Sequence, residues 1–236
     1  MTGSHVADAS DHHVWSGAVE DEPVAYPVTA TLDQWVGNIW SVRTDTVVIG
    51  DDVVDRDVII HTGAVAVIAL DPADRVYLLR QYRHPVGMQL FEPPAGLMDV
   101  IGEDPLATAQ REFAEEAGLV ASQWDVLVDF FNSPGGSTEA IRVFLARDVQ
   151  PRDGGRILTG EAEERSLPGV WVPLDDAVEL VLTSKLGNPA AVIGILAAAQ
   201  SRALGWKTLR PASTPWTVRQ QLIDTGRIRT RRLSGG

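Results

Sequence analysis

Arg111-Glu112-Phe113-Ala114-Glu115-Glu116-Ala117-Gly118-Leu119 is the stretch on which the reading of this chain turns. Asp104 followed by Pro105 marks a helix start ahead of it, because Asp can cap free backbone N–H groups and Pro is pre-set for the first helical position. Gly118 is the matching stop. Between them Leu106, Ala109, Phe113 and Ala117 recur at three- and four-residue spacing, which makes one apolar stripe and anchors the helix on a core. The acids fall on other faces. Glu112 and Glu116 are four residues apart and Glu115 is three from Glu112, so their oxygens can converge beside the buried stripe. Crowded carboxylates repel each other unless positive charge sits among them, which suits a hard divalent cation such as Mg²⁺ or Mn²⁺. Arg111, four residues before Glu115, can hold that carboxylate by a charge-assisted hydrogen bond. Taken alone, the same helix also reads as a solvated acidic face.

Working outward, β-branched segments punctuated by turn residues precede the helix: Thr46–Ile49, the turn Gly50-Asp51-Asp52, Val53–Ile60, and Gly63–Leu70. Asp71-Pro72-Ala73-Asp74 is a further turn, and Val76–Tyr82 predicts a strand buried on both faces. After the helix, strands are predicted over Trp124–Phe131, Ile141–Leu145 and Val170–Pro173, with a Gly-, Arg- and Glu-rich loop from about Val149 to Ser166. Helices follow near Asp175–Thr183 and, after Asn188-Pro189, to about Leu204. The expected class is α/β (α+β), a mixed sheet with helices on its faces. The segments expected are a loosely structured N-terminus over 1–34, N-terminal strands over 35–62, a catalytic domain over 63–205 and a basic tail over 206–236. Order is expected to begin near Trp35.

Composition narrows the chemistry. The 236 residues are 44% hydrophobic and contain no cysteine, so disulfides, thiolate nucleophiles and thiolate-held zinc are excluded and any metal is held by oxygen or imidazole. No apolar run approaches the roughly 18 to 20 residues of a membrane-spanning helix, and the Asp-, Ser- and His-rich start lacks a secretory signal pattern. A soluble, cytoplasmic protein is expected. The net charge is −12, yet Arg202 to Arg232 carries eight basic residues against the single acid Asp224. The remainder is therefore strongly acidic, which argues against general nucleic-acid binding. Trp216, Val218, Leu222 and Ile223 make the basic tail resemble a docking segment more than a free arm.

The joint pattern carries more than the helix. Glu103 stands eight residues before Arg111, and every position from Glu103 to Leu119 resembles the Nudix box: a spaced glutamate, then Arg-Glu-apolar-x-Glu-Glu-x-Gly-apolar. The leading Gly96 lies seven residues before Glu103 where the usual box has six, and it is read as a turn residue. Gln81-Tyr82-Arg83, Phe91-Glu92-Pro93-Pro94-Ala95-Gly96 and Ser133-Pro134-Gly135 extend the resemblance toward the ADP-ribose pyrophosphatase branch. Pro93 departs from the common leucine, and Gly136-Ser137-Thr138-Glu139 matches the usual loop only approximately. The resemblance covers roughly residues 40 to 205.

That resemblance implies a Nudix-type α/β/α sandwich with an N-terminal strand extension, acting on a nucleoside diphosphate sugar. It implies Mg²⁺-dependent hydrolysis of ADP-ribose to AMP and ribose 5-phosphate, Mn²⁺ being a possible substitute. Glu112, Glu115 and Glu116, with the carbonyl of Ala95, would hold metal. Glu103 would support the helix, as Arg111 does, and Glu164 or Glu163 would assist catalysis. Arg56, Arg83, Glu92 and Pro134 would meet the substrate, and Trp40 or Trp35 would stack on an adenine, although a Trp near a strand is more often core or interface. A homodimer is implied, N-terminal strands of one subunit completing the partner's site. His61 and His84 lack spaced partners and read as structural, neutral residues. Two other readings stand: a hydrolase of another nucleotide sugar such as GDP-mannose, or a non-catalytic nucleotide-sugar sensor, for which an intact glutamate set and a short C-terminal segment argue poorly.

Overall fold

The computed structural model describes residues 15–100, 102–156 and 167–228. Its first sheet is formed by β1 (Val28–Val36), β2 (Ser41–Ile49) and β3 (Asp52–Ile60), an antiparallel meander in the order β1-β2-β3. β1 begins seven residues ahead of the expected start at Trp35, inside the segment read as loosely structured. Its side chains are exposed throughout, so the apolar–polar alternation from Val28 to Asp33 marks no face that is buried within this chain.

The main body of the fold centres on β4 (Ala64–Ala69), whose six residues are all buried. Burial on both faces explains its unbroken apolar run. Ala64, Ala66 and Ile68 join one core cluster, while Val65, Val67 and Ala69 join the other, as the two-residue side-chain period of a strand requires. β5 (Arg75–Arg83) pairs antiparallel with β6 (Met88–Glu92), and a short 3₁₀ turn at His84–Val86 joins them. The expected two-sided burial of β5 is corrected: Val76, Leu78 and Leu79 are buried, but Tyr82 is exposed because the distal end of this hairpin has no layer over it.

β7 (Ala95–Leu97) then adds to the other edge of β4, and α1 (Pro105–Glu112) crosses behind it. β8 (Leu119–Phe131) and β9 (Ala140–Pro151) form a long antiparallel pair, and β9 runs parallel to β4. Both strands extend beyond their sequence-predicted bounds, which followed only the apolar residues. β10 (Gly169–Pro173) pairs with β5, α2 (Leu174–Leu182) follows, and α3 (Pro189–Ala203) starts at Asn188, whose side chain accepts from the N–H of Ala191 at 2.9 Å.

One core cluster packs β4, β9 and β5 against α2 and α3; the second packs the opposite faces of β4 and β9 against α1. The fold is thus the expected α/β/α sandwich. Among the described residues no helix is long and apolar enough to cross a membrane.

The C-terminal segment is folded onto this body. β11 (Arg210–Pro211) pairs with β8, Trp216 is buried, and α4 (Thr217–Asp224) lies alongside. Arg142, the largest fully buried side chain, holds Asp129 by two bonds of 2.8 and 2.9 Å and donates to the carbonyl of Thr214 at 2.6 Å. A buried guanidinium needs such partners, since leaving it unpaired costs several kcal/mol, on the order of 3 to 5.

Candidate active site

The glutamate helix starts as its sequence dictates. Asp104 accepts from the N–H of Leu106 at 2.9 Å, and Pro105 fills the first position. Ala109 and Phe113 are fully buried, with Leu106 and Ala117 packed beside them, so the predicted stripe is the face that meets the core. The end differs. Phe113–Ala117 forms a π turn instead of continuing as α-helix, a local widening that recurs at functional sites. Gly118 closes it at φ 66°. A Cβ there would stand 2.8 Å from Cγ of Arg156, so the glycine is required both by its left-handed backbone and by this close approach.

Arg111 is the hub of the acids. Its Nε and Nη2 donate to the two oxygens of Glu103, each at 3.1 Å, while Nη1 donates to Glu112 at 2.7 Å and to Glu115 at 3.2 Å. Thr108 donates to Glu103 at 2.9 Å. The bonds from Arg111 and Thr108 hold the carboxyl of Glu103 below its usual range despite partial burial, and the carboxylates of Glu103 and Glu112 raise the guanidinium of Arg111 above its own. The arginine is therefore a fixed cation, and one positive charge is shared among three carboxylates.

Glu112 and Glu116 both reach β7. Glu116 accepts from the N–H of Ala95 at 2.9 Å, and the Glu112 side chain lies where a Cβ on Gly96 would be. The reading of Gly96 as a turn residue is corrected by this contact. It sits in a strand, paired with Val65, and its missing side chain makes the room that Glu112 occupies. Among the described residues, no three His, Asp or Glu side chains stand together as a finished ligand set. The donors nonetheless fit a hard cation: they are all oxygen, they outnumber the neighbouring positive charge, and two of them are aimed at consecutive residues of β7 next to the Ala95 carbonyl.

Arg83 and Glu92 face each other across the β5–β6 hairpin, the arginine Nε donating to both carboxylate oxygens at 2.9 and 3.0 Å. Glu92 is buried, but the Arg83 side chain remains 43% exposed. The carboxylate thus fixes the direction of a guanidinium that solvent still reaches. Arg56 and Pro134 line one hollow of about 450 Å³, together with Tyr26 and Phe131. Trp40 is not among its walls. It packs edge-on against Trp35 with ring centroids 5.2 Å apart, and both are exposed. Glu163 and Glu164 lie outside the described residues.

His61 sits just past the end of β3 against Glu139, a partner its spacing in the sequence did not reveal. Its Nδ1 accepts from the N–H of Gly63 at 3.1 Å, Nε2 lies 3.6 Å from Glu139, and burial pushes its pKa below the usual value although Glu139 pulls it upward. Sequence reasoning missed Arg156, whose Nε donates to the carbonyl of Glu115 at 3.4 Å and whose Nη1 donates to Leu167 at 3.2 Å. A lone arginine after Gly154-Gly155 gave no signal of that contact.

A NUDIX domain profile matches residues 60–191, more than half of the chain and the whole of the glutamate helix with its supporting strands. The chain belongs to the Nudix hydrolases. Among its Nudix relatives, a protein named ADP-ribose pyrophosphatase from Mycobacterium tuberculosis (strain ATCC 25618 / H37Rv) is 41% identical over 184 residues, covering 78% of this chain and 87% of the relative. A GDP-mannose pyrophosphatase from Enterobacter sp. (strain 638) is 30% identical over 127 residues, covering 50% of this chain and 63% of that protein. A solved structure titled as an ADP compounds hydrolase superposes with a TM-score of 0.64 at 19% identity, covering 79% of this chain and 99% of that one. That likeness supports the fold.

Proposed function

We propose that this Nudix hydrolase splits the pyrophosphate bond of ADP-ribose, giving AMP and ribose 5-phosphate, with Mg²⁺ as its metal and Mn²⁺ as a substitute. The observation that carries the reading is the pair Glu112 and Glu116 aimed at Ala95 and Gly96, beside an arginine-held Glu115. When bound, a divalent cation neutralises pyrophosphate charge and lowers the pKa of a water. Glu112, Glu115, Glu116 and the Ala95 carbonyl would hold it, Arg111 and Glu103 would keep the helix carboxylates in register, and Arg83 and Arg56 would bind phosphate oxygens. Pro134 and Arg56 shape the hollow beside the N-terminal sheet, and Glu164 or Glu163 assists proton removal from the attacking water.

The substrate assignment follows the 41% identical relative. GDP-mannose is the second reading, favoured by the pyrophosphatases of that name among the relatives. The test is a panel of ADP-ribose, GDP-mannose and other nucleotide sugars with metal titration. AMP release from ADP-ribose at the highest kcat/KM is expected; a better rate on GDP-mannose would reverse the order. Glu116→Gln is expected to lose at least 100-fold in kcat, and turnover within a few-fold of the parent would remove the metal site.

The protein is further assigned a homodimeric state. Leu32, Trp35, Val36 and Val53 are exposed on the β1–β3 sheet, and Trp40 is exposed on the connection from β1 to β2, apolar side chains suited to burial against a second copy. A cytoplasmic location accords with this reading.

A further inference from the structure

The family match ends at residue 191, yet the C-terminal segment reaches the loop that introduces the glutamate helix. Arg219 on α4 donates through Nη2 to the carbonyls of Thr62 and Met98 at 3.3 and 3.5 Å. Met98 is buried and its own N–H donates to Gly63 at 3.0 Å. Five residues later Glu103 grips Arg111, which in turn holds Glu112 and Glu115. Only a short connection therefore separates the Arg219 contact from the hub of the site.

The guanidinium is unusual in its partners. Among the described residues no carboxylate pairs with Arg219. Its Nε is buried with no hydrogen-bond partner, and burial lowers its pKa. Its ring neighbour is Trp216, whose centroid lies 5.9 Å from the Arg219 guanidinium and 5.0 Å from that of Arg142. Arg142 is fixed by Asp129 and by the carbonyl of Thr214. The indole thus contacts one guanidinium rooted in β9 and another that grips the loop. A desolvated cation satisfied by carbonyls alone is costly, and it is more than a tail anchor requires, since Arg142 already supplies one.

We propose that Arg219 is a positioning residue: through Met98 it fixes the loop from β7 to α1, and thereby the Glu103–Arg111 pair that orients the metal-binding glutamates. This rests on the metal-site reading above. A cavity of about 500 Å³, lined by Met98, Val100, Glu103, Trp216 and Arg219, lies between α4 and that loop. It leaves space for the loop to shift if the grip is lost, and it admits a small cation in place of the side chain.

The full-length chain carrying Arg219→Ala is compared with Arg219→Lys and with Gln220→Ala, whose side chain bonds Asp224 on its own helix. Three quantities are read: Mn²⁺ binding by electron paramagnetic resonance, amide hydrogen exchange over residues 98–112, and kcat against KM. For Arg219→Ala, Mn²⁺ affinity and kcat are expected to fall roughly tenfold with KM little changed. Exchange should rise in 98–112 but not in β9, and millimolar guanidinium should restore part of the loss. Arg219→Lys should fall between, and Gln220→Ala should match the parent. Unchanged Mn²⁺ affinity and unchanged exchange in a folded Arg219→Ala would overturn the proposal. If that variant does not fold, Arg219→Lys decides by the same two readouts. Failure of the metal site itself is distinguishable, because Glu116→Gln would then also bind Mn²⁺ as the parent does.

Discussion

At the scale of single residues, the site depends as much on an absent side chain as on the acids themselves. Gly96 has ordinary strand pairing with Val65 and does not lie among the positive-φ glycines, so its backbone would accept alanine without strain. The obstacle is Glu112, whose carboxyl carbon lies where the methyl group would go. A residue serving only a turn would tolerate the change, whereas one making room for a ligating carboxylate would not. Gly96→Ala is therefore expected to lower kcat by about tenfold or more through displacement of Glu112, with a melting temperature within a few degrees of the parent. Steady-state kinetics and thermal denaturation of the same preparation check it. Parent-like kcat would show that Glu112 need not occupy that space.

At the scale of elements, legibility followed burial and local chemistry. β4 was legible because two covered faces demand an unbroken apolar run, and α1 because Asp104, Pro105 and the Ala109–Phe113 stripe agree. The π turn was not legible: the spacing of Glu112, Glu115 and Glu116 is the same in either helix, and only packing against β7 and Arg156 selects the wider pitch. The short β6, β7 and β11 escaped because pairing, not periodicity, defines them. β1 escaped for a different reason. Its nine residues are exposed throughout, so its apolar side chains match no core of this chain. It is also an edge strand, a surface that proteins normally cover or blunt with charge. The homodimer proposed above would account for both facts. Leu32→Glu, placing a charge on β1, is expected to shift the protein from dimer to monomer in sedimentation velocity while leaving the body folded; an unchanged sedimentation coefficient would assign the sheet another role.

At the scale of the whole molecule, the N-terminal sheet and the catalytic body are joined by the loop read as Gly136-Ser137-Thr138-Glu139. Ile59 donates to the carbonyl of Gly136 at 2.8 Å, and Thr138 donates back to the carbonyl of Ile59 at 3.0 Å. His61 completes the junction, its N–H donating to the Thr138 hydroxyl at 2.9 Å and its ring facing Glu139. Burial lowers the imidazole pKa in the folded protein from the ordinary 6.5. The sign follows by linkage. Below about pH 6.5 the unfolded chain takes up a proton that the folded protein refuses. Stability therefore falls as pH drops from 6.5 toward the lowered folded value, and levels off only below it. Most carboxylates titrate lower, near pH 4, so the upper part of this window isolates the histidine. Melting temperature is expected to decline between pH 7 and 5.5, and His61→Asn, which keeps an acceptor for the Gly63 N–H, should flatten that decline even if it lowers stability at pH 7. A slope unchanged in the variant would mean that protonation is felt elsewhere and that the junction between sheet and body is insensitive to acid.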